Sequence, residues 1–279
     1  MRRHAIPALC VLLAIAGCGG GGGSGLSQDL AATHANYQII DLEAGTAQAA
    51  DSVPGLATDP AYRDRLLVVR RLPRRTATTG QTAGSWAAQP DETPASAELA
   101  PCYLAVFELT RAQWRRLAGD EPWTLVLPAT LAGPVVGDEL PAVGIAHQRA
   151  VAVLAARRAR GLDLRLPGDA DWESAARAGG ALFPWGDARD ATTVAAAAVV
   201  AETAGGVLGP QPVGVRAVAP SGCFDLVGNA AEWTAEGNLR GGSWTDALSL
   251  ARPANLQAAE LDVPYAHAGV RVLYQPPSR

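Results

Sequence analysis

The chain has 279 residues and a formal net charge of −4, with 48% hydrophobic and 5% aromatic residues. This length is enough for one large domain or two small ones. The mild negative charge gives no electrostatic footprint for nucleic acid, and we expect no nucleic-acid partner.

The N-terminal residues have the pattern of a bacterial secretion signal. Two arginines precede a short apolar run that ends at Gly17 and Cys18. The run is too short to cross a membrane as a helix, whereas a charged start before a short apolar core is typical of a signal peptide. We therefore predict a signal peptide over residues 1–17, followed by a Gly/Ser-rich tether over residues 18–36.

The residues that end in Cys18, IAGC, also resemble the bacterial lipobox. In that motif the cysteine is lipidated and becomes the first residue of the mature protein. We therefore predict that a lipid on Cys18 anchors the protein to a membrane of the bacterial cell envelope, on the periplasmic face or at the cell surface. The alternative is an ordinary signal peptide in which Cys18 occurs by chance.

Two apolar strands are predicted after the tether, and a polar segment follows them. The strands begin at Tyr37, with YQIIDLEAG, and at Arg65, with RLLVVRRL. Residues 73–100 are rich in Thr, Gly, Ala and Pro and carry little periodicity. This composition predicts a long, mobile loop excursion on the surface.

Regular structure is predicted again from Cys102. The run CYLAVFEL is typical of a strand, and Thr110 with Gln113 predicts a capping box at the start of a helix. Two further helices are predicted over residues 148–160 and 169–178, from their apolar spacing and from the charges at their ends.

The helical signals stop after Gly179, where Gly and Pro recur every few residues. Much of the second half must therefore be ordered loop. Buried aromatic residues, side-chain hydrogen bonds or metal ions are needed to hold such loops.

Six segments, in order, resemble the formylglycine-generating enzyme family, also called sulfatase-modifying factor domains. They are YLAVFELTRAQW from Tyr103, LPAVGIAHQRAVAVL from Leu140, RLPGDADWESAARAGGALFPWGD from Arg165, FDLVGNAAEW from Phe224, RGGSW from Arg240 and AGVRVL from Ala268. The resemblance implies a domain over residues 37–273 with a tail at 274–279. It also implies an α+β, C-type-lectin-like fold with little regular secondary structure and many ordered loops.

The resemblance also implies where the family's chemistry would lie. Its converting enzymes oxidise a cysteine of a sulfatase with oxygen and copper, and two cysteines hold the copper because soft thiolates select Cu(I). In the family, these cysteines lie two and seven residues after the aromatic residue of the Gly-Gly-Ser-aromatic motif. Asp246 and Ala251 occupy those positions here, so we expect neither copper binding nor cysteine oxidation.

Two residues are weaker candidates for a different chemistry. Asp246 is a candidate general base, and the alternative is a solvated turn residue. His267 precedes the AGVRVL strand, close to the family's active site, and is a candidate ligand or catalytic group.

The family also carries structural calcium sites, whose oxygen ligands suit a hard cation. One such site uses the Gly-Asn-x-x-Glu-Trp segment. Asn229 and Glu232 are present here, with the carbonyl groups of Val227 and Ala230 beside them. These residues are expected either to hold calcium or to serve the fold, with the asparagine capping a turn and the glutamate paired with an arginine.

Two further sets of residues follow from the same comparison. The family framework predicts four structural arginines that clamp carbonyl and carboxylate groups: Arg165, Arg177, Arg240 and Arg271. The domain also contains Cys102 and Cys223. In an oxidising compartment they form a disulfide if they lie close, and otherwise they are small buried hydrophobic residues.

Three functional hypotheses remain. The first is a lipid-anchored domain that binds an unknown protein or small ligand without catalysis. The second is an oxidoreductase or protein-maturation enzyme of the same family with a different chemistry, which would bring Asp246, His267 and a third polar group into one pocket. The third is a ligand-display lipoprotein diversified by retroelements in the segment 245–268. Because both thiolates are missing, we favour the first.

Overall fold

The computed structural model describes residues 35–127, 137–177, 179–205 and 209–277, which belong to one structural unit, Ala35–Arg279. The predicted signal peptide, Cys18 and most of the predicted tether lie outside the described residues. Within those residues, no helix is long and apolar enough to span a membrane.

Short strands and short helices are interspersed as far as residue 197, and only strands follow. In chain order the elements are β1 (Tyr37–Asp41), β2 (Thr46–Ala50), a 3-10 helix (Pro60–Arg63), β3 (Leu66–Leu72), β4 (Arg75–Thr79), β5 (Ala95–Leu99), β6 (Cys102–Ala105), α1 (Arg111–Ala118), α2 (Trp123–Val126), α3 (His147–Arg158), β7 (Leu164–Arg165), α4 (Asp169–Ala176), α5 (Ala191–Ala197), β8 (Ala231–Trp233), β9 (Asn238–Arg240), β10 (Gln257–Ala258), β11 (Ala268–Gly269) and β12 (Leu273–Tyr274).

The strands form three sheets. The largest has the order β2-β1-β3-β6-β12-β7, and all of its neighbouring strands are antiparallel. A second sheet, β10-β9-β8-β11, contains the parallel pair β8–β11, and β4 with β5 forms a two-stranded sheet. Because β12 lies between β6 and β7, the end of the domain is tied into the centre of the fold.

The main core brings one face of the six-stranded sheet together with α1, α3 and the second sheet. Trp114 of α1 and Trp233 of β8 are 0% exposed in this core. Beyond α5, every named strand has only two or three residues. The predicted α+β class with many ordered loops is thereby confirmed. Helix α5 was missed, since it lies in the region where no helix was predicted; Asp190 caps it by accepting a hydrogen bond from Thr193 N.

Helix α1 begins at the predicted capping box. Thr110 Oγ1 accepts a hydrogen bond from Gln113 N at 3.1 Å, and Gln113 Oε1 accepts one from Thr110 N at 3.2 Å. Two backbone donors that a helix start leaves open are thus satisfied. This prediction is confirmed, and both residues are buried.

The segment 73–100 differs from its prediction. Instead of a loop excursion without regular structure, it contains the antiparallel strands β4 and β5, with five paired residues from Arg75 opposite Leu99 to Thr79 opposite Ala95. The residues between these strands pack against the second half of the domain. The polar composition of the segment gave no sign of these strands. Between them, Gln81 and Glu92 are buried.

Candidate functional site

The loop from Arg240 to Arg252 folds tightly back on itself. Gly241 and Gly242 have φ angles of +82° and +64°, a region that favours glycine. A Cβ atom at Gly242 would lie 2.8 Å from the Cα atom of Ala251, so the glycine allows the two backbone segments to touch. Ala251 is 0% exposed. Position 251, where the family has its second cysteine, is therefore enclosed by the protein itself.

Arg240 anchors the start of this loop to helix α4. Its Nε donates to Asp169 Oδ1 at 2.9 Å, and its Nη1 donates to Glu173 Oε2 at 3.1 Å and to Pro253 O at 3.2 Å. Glu173 also accepts from Arg177 Nε at 2.8 Å. Burial raises the pKa of Glu173, and the charges of the two arginines oppose this shift.

Arg252 anchors the end of the loop to the segment between β4 and β5. Its guanidinium pairs with Glu92 through two hydrogen bonds of 2.6 and 2.8 Å, and neither side chain is exposed. Further bonds run from Arg252 to Gln81 Oε1, Ala87 O and Ser249 O. All five donors of the guanidinium are thereby used. Sequence analysis missed this network, since its partners are far apart in the chain.

Apolar side chains fill the space under the loop. Ala251 and Leu248 belong to a buried cluster with Phe183, and Trp86 from the segment between β4 and β5 packs against it. The Trp86 and Phe183 ring centroids are 6.1 Å apart, and Trp185 stacks on Phe183 at 4.7 Å. Ala251, at the position predicted for the family's second cysteine, thus lies in a small hydrophobic core.

A second network lies behind the loop, around Arg271. This buried guanidinium donates to Glu232 from Nε at 2.8 Å and from Nη2 at 2.6 Å, and its Nη1 donates to Ala105 O at 2.9 Å. Trp172 Nε1 also donates to Glu232 Oε2, at 2.5 Å. Arg271 therefore joins the second sheet to the backbone of β6.

Glu108 completes this network, and sequence analysis did not single it out. Its carboxylate accepts hydrogen bonds from Asn229 Nδ2 at 2.6 Å and from Ala230 N at 2.8 Å. Burial, together with the negative charges of Asp225 and Glu232, raises the pKa of Glu108 well above its usual value. The one sequence feature that could have identified Glu108 is its place as the single acidic residue in the apolar run CYLAVFEL.

Asp246 and His267 lie near one another but make no hydrogen bond to each other in the described structure. Ser243 Oγ donates to Asp246 Oδ2 at 2.6 Å and lies 2.8 Å from Thr245 Oγ1. His267 Nε2 is buried without a hydrogen-bond partner among the described residues. Burial lowers the pKa of His267, whereas the charge of Asp246 acts to raise it.

An open cavity of about 330 Å³ lies beside the filled region. The Arg189 guanidinium carbon is 4.7 Å from the centroid of the Trp86 ring. Both oxygens of Glu202 lie 3.1 Å from the backbone N of Leu248. The cavity is lined by Trp86, Arg189, Ala191, Val194, Glu202, Thr203, Leu248 and Ser249. Asp246 and His267 do not line it.

A family model described as the sulfatase-modifying factor enzyme 1-like domain matches residues 76–276. The chain belongs to this family. The match begins inside β4, whereas the structural unit of the sulfatase-modifying factor domain begins at Ala35.

Solved structures show that the fold is shared. PvdO from Pseudomonas aeruginosa is 20% identical, with a TM-score of 0.64 over 75% of this chain and 94% of PvdO. Variable protein 1 of Treponema denticola is 16% identical, with a TM-score of 0.63 over 76% of this chain and 96% of its own. CarF is 18% identical, with a TM-score of 0.54 over 74% of this chain and 100% of its own. No curated protein sequence matches the chain.

The residues of the predicted calcium site in this sulfatase-modifying factor domain do not fit a calcium ion. Glu232 is committed to Arg271 and Trp172, and Asn229 Oδ1 accepts from Gln211 N at 2.8 Å. Among the described residues, no group of three or more acidic, histidine or cysteine side chains is placed to hold a metal ion beside the carbonyls of Val227 and Ala230. The structure instead shows the alternative, a glutamate paired with an arginine.

The four framework arginines have two different roles. Arg177, Arg240 and Arg271 clamp buried carboxylate or carbonyl groups, as predicted. Arg165 differs, because its side chain is half exposed and pairs with Asp163, two residues away on the surface.

Cys102 and Cys223 are both free and buried, and they form no disulfide in this structure. They lie in the same apolar cluster as Trp172. Burial raises the pKa of Cys102 to about 11 and also raises that of Cys223. The structure therefore shows the second predicted alternative, small buried hydrophobic residues whose thiols stay protonated.

Proposed function

We propose that this sulfatase-modifying factor domain is a binding module that lacks the cysteine-oxidising activity of its family. The proposal rests on the surroundings of Asp246 and Ala251, which stand at the positions predicted for the family's two cysteines. Asp246 is hydrogen-bonded within its own turn, and Ala251 is completely buried against Gly242. Neither residue supplies a sulfur, and a substrate cysteine cannot reach position 251 without displacing the protein's own chain.

The Arg252–Glu92 pair, at the end of the loop, also supports this proposal. Arg252 holds the segment between β4 and β5 against the loop with four hydrogen bonds, to Gln81, Ala87 and Glu92. A catalytic cleft must admit its substrate, whereas this region is filled. The adjacent open cavity is a surface available for a ligand.

Metal analysis of the purified full chain tests the loss of the copper site. After incubation with Cu(I) and removal of unbound metal, we expect no stoichiometric copper, and the C102S and C223S variants should bind as little as the wild type. One equivalent of copper that survives dialysis in both single variants would overturn the proposal.

The proposed location is the bacterial cell envelope, with a lipid on Cys18 as the anchor. The IAGC motif and the charged, apolar N-terminus support it. Metabolic labelling with an alkyne fatty acid tests it, since the wild type should be labelled and the C18S variant should not. Equal labelling of both would contradict a lipid on Cys18.

A second candidate function, an enzyme with different chemistry, has one observation in its favour. Ser243, Asp246 and His267 are neighbours, and the buried Nε2 atom of His267 has no partner among the described residues. A general base must reach a proton of the substrate. Asp246 and His267 do not line the open cavity, which is an observation against this candidate. Peptide modification or oxygen uptake that is lost in both D246N and H267Q would favour this candidate.

A further inference from the structure

We propose that the cavity between Trp86, Arg189 and Glu202 binds a small zwitterion, a free α-amino acid or a short peptide. Its carboxylate would lie on Arg189 and its ammonium group beside Glu202. This inference rests on the proposed binding function and adds the chemical class of the ligand.

Arg189 is an exposed cation with unused donors. Its guanidinium lies 4.7 Å from the Trp86 ring centroid, and among the described residues it makes no hydrogen bond or ion pair. Stacking occupies one face of the guanidinium and leaves the N–H groups, which lie in its plane, available. A planar fork of donors matches a carboxylate through two parallel hydrogen bonds.

Glu202 is an exposed anion that lines the same cavity. The backbone N of Leu248 lies 3.1 Å from each carboxylate oxygen and holds the side chain in place. No arginine pairs with Glu202 in the described part of the chain, so the negative charge is not neutralised. An ionised carboxylate has about four acceptor positions, and several remain for an ammonium group.

These two charges lie on one cavity without pairing with each other, and this arrangement selects the ligand. A simple anion would satisfy Arg189 but would be repelled by Glu202. A neutral sugar would need an open aromatic face, and Arg189 already covers one face of Trp86. A zwitterion satisfies both charges at once.

The size and lining of the cavity agree with such a ligand. Its volume of about 330 Å³ lies at the lower end of the range for small-molecule sites, roughly 300–1,000 Å³. Val194 and Leu248 supply apolar walls for a side chain, and Ser249 adds a hydroxyl group.

Isothermal titration calorimetry on the full chain tests this proposal. The probes are L-alanyl-L-alanine and L-leucine, with N-acetyl-L-alanine and L-alaninamide as controls that each lack one charge. We expect the zwitterions to bind at least about tenfold more tightly than either control, since each charge-assisted contact is worth about one order of magnitude.

Matched variants locate the binding. R189Q and E202Q should each weaken binding of the zwitterions by about tenfold or more. R160Q and E260Q remove exposed charges outside the cavity and should leave binding unchanged. No measurable binding of either zwitterion, or binding that survives both R189Q and E202Q, would overturn the proposal.

Two other results separate this inference from the proposed function. Binding of glucose that is lost in W86A, with no binding of zwitterions, would overturn the ligand class and leave a binding module. Peptide-dependent oxygen uptake by a chain that also binds the zwitterions would overturn the non-catalytic function and leave the ligand site.

Discussion

Arg252 and Glu92 form an ion pair with two hydrogen bonds, of 2.6 and 2.8 Å, and neither side chain is exposed to solvent. The pair joins two segments 160 residues apart, namely the loop that carries the family's catalytic positions and the segment between β4 and β5. A buried charge that loses its partner is strongly destabilising. This contact therefore links the position of the loop to the stability of the fold.

Removal of one partner of this pair should be costly. We expect E92Q to lower the free energy of unfolding by about 3–5 kcal/mol, because it leaves the buried guanidinium of Arg252 without a counter-charge. Urea denaturation followed by circular dichroism measures this loss. R165Q is the matched control, since it breaks the exposed pair with Asp163 and should cost about 1 kcal/mol or less. Equal losses in the two variants would contradict the burial of the Arg252–Glu92 pair.

The contact between Gly242 and Ala251 predicts a second difference in stability. G242A introduces a Cβ atom 2.8 Å from Ala251 Cα at a φ of +64°. G45A is the matched control, because Gly45 has a φ of +68° with no atom near the added Cβ. The left-handed conformation costs each variant about 1–2 kcal/mol, and crowding should cost G242A a further 1–3 kcal/mol or so. Similar melting temperatures for the two variants would show that the loop does not fold back on Ala251.

Asp225 should make stability depend on pH. Burial raises its pKa to about 6 in the folded state, from an ordinary value of 3.8. In this window the folded chain binds more protons than the unfolded chain, so the free energy of unfolding falls as pH rises from about 4 to about 6 and then levels off. The fall should amount to about 1–3 kcal/mol.

D225N isolates this contribution. Its amide oxygen can still accept the hydrogen bond that Asp225 accepts from Gly214 N, and it does not ionise. Chemical denaturation at pH 4.5 and pH 7 should therefore show a smaller fall for D225N than for the wild type. D262N, at an exposed position, should behave like the wild type. A fall that is unchanged in D225N would assign the pH dependence to other groups, Glu108 first.

The buried thiols predict slow chemical labelling. Because burial raises the pKa of Cys102 to about 11 and also raises that of Cys223, both should resist iodoacetamide at pH 8 in the folded chain and react fully in urea. Peptide mass spectrometry identifies the labelled positions. A peptide pair linked through Cys102 and Cys223 in unreduced protein would contradict the free thiols of the structure.

The family, the fold class and the cap of α1 were predictable because each depends on neighbouring residues or on an ordered series of motifs. RGGSW predicts that Asp246 and Ala251 stand at the family's cysteine positions, and both lie in the loop that starts at Arg240. The strand pair β4–β5 was not predictable, because RTATT and ASAEL carry no apolar alternation. Their pairing depends on side chains that meet residues far along the chain.

The role of Glu232 was also not predictable from the sequence. A carboxylate accepts hydrogen bonds from an arginine with the same oxygens that would bind calcium, so the motif alone left both alternatives open. In the structure Glu232 pairs with Arg271, 39 residues further on. Likewise, the cavity combines Trp86, Arg189 and Glu202 from three separate segments, and none of these carries a local signal of binding.

The most direct test of the central claim is an oxygen-consumption assay on the purified full chain, supplied with copper and a sulfatase-derived cysteine peptide. The frame of the family's site is present, but Asp246 and Ala251 supply no thiolate and position 251 is enclosed. The account predicts oxygen uptake no greater than that of copper and peptide alone, with the peptide cysteine unchanged in mass. Sustained peptide-dependent uptake, with loss of the cysteine sulfur, would contradict it.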